Sequence, residues 1–83
     1  MDIGIEISLY PLHSEFIPPI EDFIRRLNRD ARFKIVTNSM STQIYGAYEV
    51  LFEALNREMR ATFESAGKAV FVMKVLGPLA PAP

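Results

Sequence analysis

The stretch Ile3-Gly4-Ile5-Glu6-Ile7-Ser8-Leu9-Tyr10-Pro11 decides the fold. Ile3, Ile5, Ile7 and Leu9 are apolar, while Gly4, Glu6, Ser8 and Tyr10 between them are small, polar or amphipathic, the period of two of a half-buried strand. One face is core and the other is open. Pro11 ends the ladder because it has no N–H to donate. Downstream, Phe16, Ile20, Phe23, Ile24 and Leu27 form a stripe at helical spacing. Two starts are compatible with it: Ser14 as N-cap, or a regular helix beginning near Pro18, since Pro18 and Pro19 remove early ladder bonds.

After the polar break at Asn28 to Ala31, Phe33 to Val36 and Met40 to Tyr45 read as two strands of a hairpin turning at Thr37-Asn38-Ser39. Gly46 is expected to open a second helix with the stripe Tyr48, Leu51, Phe52, Leu55, Met59 and Phe63, a Glu53–Arg57 pair on its wet side and Gly67 as its stop. Ala69 to Leu76, a short apolar run rich in Val, reads as a last strand. The order β-α-β-β-α-β is the split βαβ pattern of ferredoxin-like folds: α+β, a four-stranded antiparallel sheet with two helices on one face. Residues 1–77 make a single domain, and the Pro/Ala-rich residues 78–83 are expected to be a flexible tail.

Composition excludes several classes of function. The chain has 83 residues, no Cys and one His, so thiolate metal sites and Cys nucleophiles are absent and a zinc centre lacks ligands. A net charge of −1, with Arg residues interleaved among acids, argues against nucleic acid. No basic leader precedes an apolar run, and no run is long enough to span a bilayer, so a cytoplasmic location without membrane association is expected. A domain this small buries a thin core, and self-association is expected to supplement it. On the last strand, Ala69, Phe71, Met73 and Val75 compete with Val70, Val72 and Lys74 for the core; an apolar helix-free face would itself call for a second copy.

Catalysis has little support. Ser14, His13 and Asp22 assemble a triad only on paper, with no nucleophile elbow or oxyanion hole. The carboxylates Glu15, Glu21, Asp22, Glu49, Glu53, Glu58 and Glu64 fall on helix faces expected to be wet, and the glycines are not spaced as a phosphate loop. Neither catalytic residues nor metal ligands are assigned. Two segments carry binding chemistry instead. Ser8 and Tyr10 share the open face at the end of a central strand. Thr37-Asn38-Ser39-Met40-Ser41-Thr42-Gln43 is a dense run of uncharged donors and acceptors, which reads either as a solvated hairpin or as the polar end of an apolar groove. Glu6 meets Lys74, faces water or attracts a cationic ligand; the sequence leaves all three open.

On Ile7-Ser8-Leu9-Tyr10-Pro11, Phe16-Ile17, Met40-Ser41-Thr42-Gln43-Ile44-Tyr45-Gly46 and Phe52-Glu53-Ala54, the chain resembles the YkoF-like family of thiamine- and hydroxymethylpyrimidine-binding proteins. The resemblance implies a ferredoxin-like domain, sheet-mediated association as a homodimer or dimer of dimers, and ligand binding without catalysis or a cofactor. Larger members carry two such units in tandem; this chain carries one, so separate chains would supply the second. The resemblance carries over Ser8, Tyr10, Ser41 and Thr42 as candidates near the ligand. Glu6, Asn38, Ser39 and Gln43 are added from chemistry: amides and hydroxyls match an aminopyrimidine edge, and Glu6 with Tyr10 or Tyr45 suits a cationic thiazolium. Thr42 has the parity of the core face, so its place, ligand contact or structural, stays open. With only Lys34 beside the hairpin, a phosphorylated ligand has less support than a free one.

Overall fold

The computed structural model describes residues 1–80. Its elements follow the expected order: β1 (Asp2–Pro11), α1 (Ile17–Asn28), β2 (Lys34–Thr37), β3 (Thr42–Ala47), α2 (Tyr48–Ala66) and β4 (Ala69–Leu76). The sheet is antiparallel in the order β2-β3-β1-β4, a ferredoxin-like α+β fold. Ile3, Ile5, Ile7 and Leu9 all lie in the buried core with Ile44, Leu51 and Leu55, as the alternation of β1 demands. β4 resolves its ambiguous parity through Phe71, whose ring packs 5.0 Å from Phe23 and 5.4 Å from Phe63. Val70 and Val72 therefore take the opposite parity, with Tyr10 and Ser8 as their register partners, and both are exposed.

Several local expectations are corrected. Gly46 lies inside β3 rather than opening α2, whose N-cap is Ala47. A Cβ at Gly46 would stand 2.6 Å from the Phe33 ring, so the glycine admits a buried aromatic. Gly67 does stop α2, at φ +76°, in the left-handed region that favours glycine. α1 begins at Ile17 with Phe16 as N-cap and no side-chain cap bond, so Ser14 does not cap it. β3 starts at Thr42 and leaves Met40 in the turn. In the segment expected to be a flexible tail, the Leu79 N–H donates to the Asp2 carbonyl at 2.8 Å, one residue beyond the register of β1 with β4. Residues 81–83 of that tail lie outside the described residues.

The buried stripe of α2 is Leu51, Ala54, Leu55 and Thr62, while Tyr48 and Phe63 are exposed. Along this face α1 brings Arg26 against α2. Its guanidinium donates to Asp22 (3.0 Å), to the Glu58 carboxylate (2.5 Å) and carbonyl (3.1 Å), and to the Thr62 hydroxyl (2.8 Å). Glu58 is thus a half-buried ion-pair member rather than a fully wet carboxylate, and Arg57 pairs with it (3.1 Å) instead of with Glu53. Burial opposes ionisation of Glu58, but the hydrogen bonds from Arg26 and Arg57 outweigh it and hold the carboxyl below its usual range. Asp30, bonded by the Arg32 side chain, is held down at about 2.

Removing the Glu58 charge leaves Arg26 short of its main acceptor. Glu58→Gln is expected to cost about 2 kcal/mol at pH 7, the scale of a hydrogen bond to a charged group. Because the folded carboxyl titrates below its unfolded value, its contribution is complete above the unfolded pKa and lost as pH falls through the folded one. Thermal melts of both proteins in acid steps should show the gap between them narrowing. A gap independent of pH would contradict the assignment.

Candidate functional site

β1 is longer than its neighbour on one side. It pairs with β4 from Gly4 to Pro11 but with β3 only from Asp2 to Ile7, where Ile7 faces Thr42. Beyond Ile7 the chain of β3 has already turned away into the hairpin. The space left open between Ser8 to Pro11, the turn 38–41 and helix α1 is a cavity of about 400 Å³. Ile7, Leu9, Phe23, Ile20 and Ile24 form its apolar wall, and Thr37, Asn38, Ser39, Ser41 and Thr42 its polar end. Phe16 and Met40, both well exposed, stand at its rim. No charged side chain lines it among the described residues.

The polar end is built by the hairpin. Asn38 Oδ1 accepts the N–H groups of Met40 (2.8 Å) and Ser41 (3.0 Å), while the Asn38 N–H donates to the Ser41 carbonyl (3.1 Å). The side-chain carbonyl thereby replaces a backbone acceptor, which is why Asn suits this turn. One residue pair below, the hydroxyls of Thr37 and Thr42 share a hydrogen bond of 3.2 Å. Thr42 is 4% exposed, so it belongs to the buried face and to the cavity wall at once.

Of the eight residues singled out in the sequence, six gather here: Ser8, Tyr10, Asn38, Ser39, Ser41 and Thr42. Glu6 and Gln43 do not. They face each other in register across β1 and β3 on the helix-free face, where Lys74 Nζ approaches Glu6 Oε1 at 3.8 Å and the Tyr45 hydroxyl donates to Gln43 Oε1 at 2.8 Å. The cleft lies on the helix side of the sheet. It sits there because β3 ends early and α1 bridges the gap. The side chains of Ser8 and Tyr10 alternate toward Val72 and Val70, yet both residues border the cleft past the end of β3. Ile20 and Ile24 read as core in the stripe of α1, but they are only half-buried because the cavity lies beneath them. Their i, i+4 spacing is what a wall shares with a core, so periodicity could not separate the two.

The paper triad also resolves. His13, Ser14 and Asp22 border one shallow depression, but the Asp22 carboxylate is committed to Arg25 and Arg26. No hydrogen bond joins His13 to Ser14 or Asp22 among the described residues. No group of three or more His, Cys, Asp or Glu able to hold a metal occurs among them either.

The architecture is that of ferredoxin-like α+β domains with a cleft at one end of the sheet. It is similar to protein SP2199 from Streptococcus pneumoniae, with a TM-score of 0.87 at 18% identity over 95% of this chain and 89% of that one. It is also similar to TM0486 from Thermotoga maritima, provisionally assigned to thiamine biosynthesis or salvage, with a TM-score of 0.86 at 14% identity over 94% and 85% of the two chains. A third similar structure is a DUF77 domain from Bacillus cereus, with a TM-score of 0.80 at 15% identity over 94% and 77%. At such identities the likeness establishes the fold. No family model matches the sequence, and no curated protein matches it. No helix among the described residues is long and apolar enough to cross a membrane.

The turn should depend on the Asn38 side chain. Asn38→Ala removes two acceptor contacts and is expected to cost about 1 kcal/mol, the scale of a partly solvated hydrogen-bond loss. Amide exchange at Met40 and Ser41 should accelerate in the variant. Unchanged exchange at both would show that the Asn38 side chain does not hold the turn.

Proposed function

We propose that this chain binds thiamine or its hydroxymethylpyrimidine precursor without transforming it, as a carrier, buffer or sensor, and does so as a homo-oligomer. The observation that carries the reading is the cavity: apolar walls from α1 and β1, a cluster of uncharged hydroxyl and amide groups at one end, and no charge in its lining. Small-molecule sites have this make-up, and its volume falls in the range of about 300 to 1,000 Å³ usual for them. Its contents suit a neutral heteroaromatic better than a phosphorylated one, because no Lys or Arg reaches it among the described residues. Glu6 lies outside the lining, so the free pyrimidine fits the cavity better than the cationic thiazolium. The likeness in fold to TM0486 and the resemblance to the YkoF-like family support the same ligand class.

Self-association has its own support. The helix-free face carries Val36 of β2, Tyr10 of β1 and Val70, Val72 and Leu76 of β4, all exposed and all of one parity in the sheet register. An apolar sheet face of this kind is ordinarily covered by a partner, and a second copy supplies one with matching chemistry. A bare interaction module, with no ligand, is the rival reading that the same face favours.

Calorimetric titration with hydroxymethylpyrimidine and thiamine separates the two readings. Saturating ligand at a hundredfold excess over Kd should stabilise the protein by about 2.7 kcal/mol and raise Tm accordingly. Ile20→Phe, which fills the cavity from α1, should abolish both the heat and the rise. Absence of heat and of any Tm change at millimolar ligand would sink the binding reading. Val72→Glu places a charge at the centre of the helix-free face and is expected to shift the protein to monomer in sedimentation velocity. If the wild type is already monomeric at micromolar concentration, the face does not serve self-association.

A further inference from the structure

We infer that the main chain of Leu9 is the specificity element of the cavity, reading a planar heteroaromatic that carries an acceptor nitrogen beside a donor amino group. The inference rests on the ligand class proposed above and names the contact that selects it. Two hydrogen bonds fix the direction of every peptide group along β1. The Leu12 N–H donates to the Lys68 carbonyl at 3.0 Å, and the Tyr48 N–H donates to the Met1 carbonyl at 3.0 Å. By the alternation of antiparallel ladders, even-numbered residues of β1 turn their N–H and C=O toward β4 and odd-numbered ones toward β3. Ile3, Ile5 and Ile7 find Gly46, Ile44 and Thr42 on that side.

Leu9 is the next odd residue, and continuing the register assigns Met40 as its partner. Met40 is not there to receive it. Its N–H is held by Asn38 Oδ1 at 2.8 Å, and its side chain is 83% exposed in the turn. Leu9 itself is 8% exposed, and no hydrogen bond of its N–H or C=O toward the hairpin exists among the described residues. A buried peptide edge of this kind is costly unless something pairs with it. It borders the cavity at the end where Thr42 and Ser41 stand.

The length of the edge limits what fits. The following odd residue is Pro11, which has no N–H, so the free edge offers one donor and its neighbouring carbonyl and then stops. A peptide strand needs successive pairs to bind by strand addition. A single ring with one acceptor and one adjacent donor needs only Leu9. The 4-amino group and neighbouring ring nitrogen of hydroxymethylpyrimidine present that pair, while the ring lies against the apolar wall and its hydroxymethyl group is free to meet the hydroxyls of the hairpin.

Backbone amide spectra of the ¹⁵N-labelled protein test this directly. Without ligand, the Leu9 amide should exchange at least tenfold faster than that of Ile7. Saturation with hydroxymethylpyrimidine should slow Leu9 exchange at least tenfold and move its resonance, and the analogue lacking the 4-amino group should bind at least tenfold more weakly. Leu9 as protected as Ile7 in the free protein would overturn the inference, as would tight binding of hydroxymethylpyrimidine with no change at Leu9; in the latter case the ligand reading stands and this contact falls. Absence of binding by hydroxymethylpyrimidine and thiamine alike would remove the ligand reading and the inference with it.

Discussion

Everything in this structure depends on the unequal pairing of its first strand. β1 is one of the two central strands, beside β3, and it carries four buried side chains in alternation, so both helices pack across it. Its pairing with β4 runs through Pro11, but its pairing with β3 stops at Ile7. A sheet with flush ends would have filled that space with further pairs beyond Ile7 and Thr42. The Asn38 turn draws β3 away early, and the deficit becomes a cleft roofed by α1.

The cleft can persist only if α1 is held at a distance from the sheet end. That position is set elsewhere, by Arg26 and its acceptors on α2, Glu58 and Thr62, and by the contact of Phe23 with Phe71 on β4. The hydrogen bonds fix one point of α1, the aromatic contact another, and the first turns of the helix are left to overhang the cavity through Ile20 and Phe16. One helix thus serves both site and scaffold: Arg26 docks it on α2, while Ile20 and Ile24 wall a space. Asn38 couples the two ends of the same design, since the acceptor that closes the turn is also what denies Leu9 its partner.

Much of this was legible in the sequence where a single physical rule governs. Strict alternation gave β1, Gly67 gave the end of α2, and the order of elements gave the topology. The failures share a cause, which is that they depend on what another segment does. Gly46 looked like a helix opener because a glycine before an apolar stripe commonly is one; its actual constraint is the Phe33 ring, a contact across the fold. Glu58 sits at a position that reads as wet until Arg26 arrives from α1. Six of the eight candidate site residues gather at the cavity because hydroxyls and amides were dense on the two segments that β1 and the hairpin bring together. Glu6 and Gln43 were placed with them by chemistry but lie where β1 is still paired with β3, outside the lining, and Leu9 was passed over because a main-chain group is invisible to a side-chain reading.

A co-crystal structure with hydroxymethylpyrimidine tests the central claim most directly. The account predicts the ring between Leu9 and the hairpin, its amino edge on the Leu9 main chain, its faces against Ile20 and Ile24, and its position within the cavity on the helix side of the sheet. Ligand bound on the opposite face beside Glu6 and Gln43, or a cavity that stays empty at saturating ligand, would contradict it.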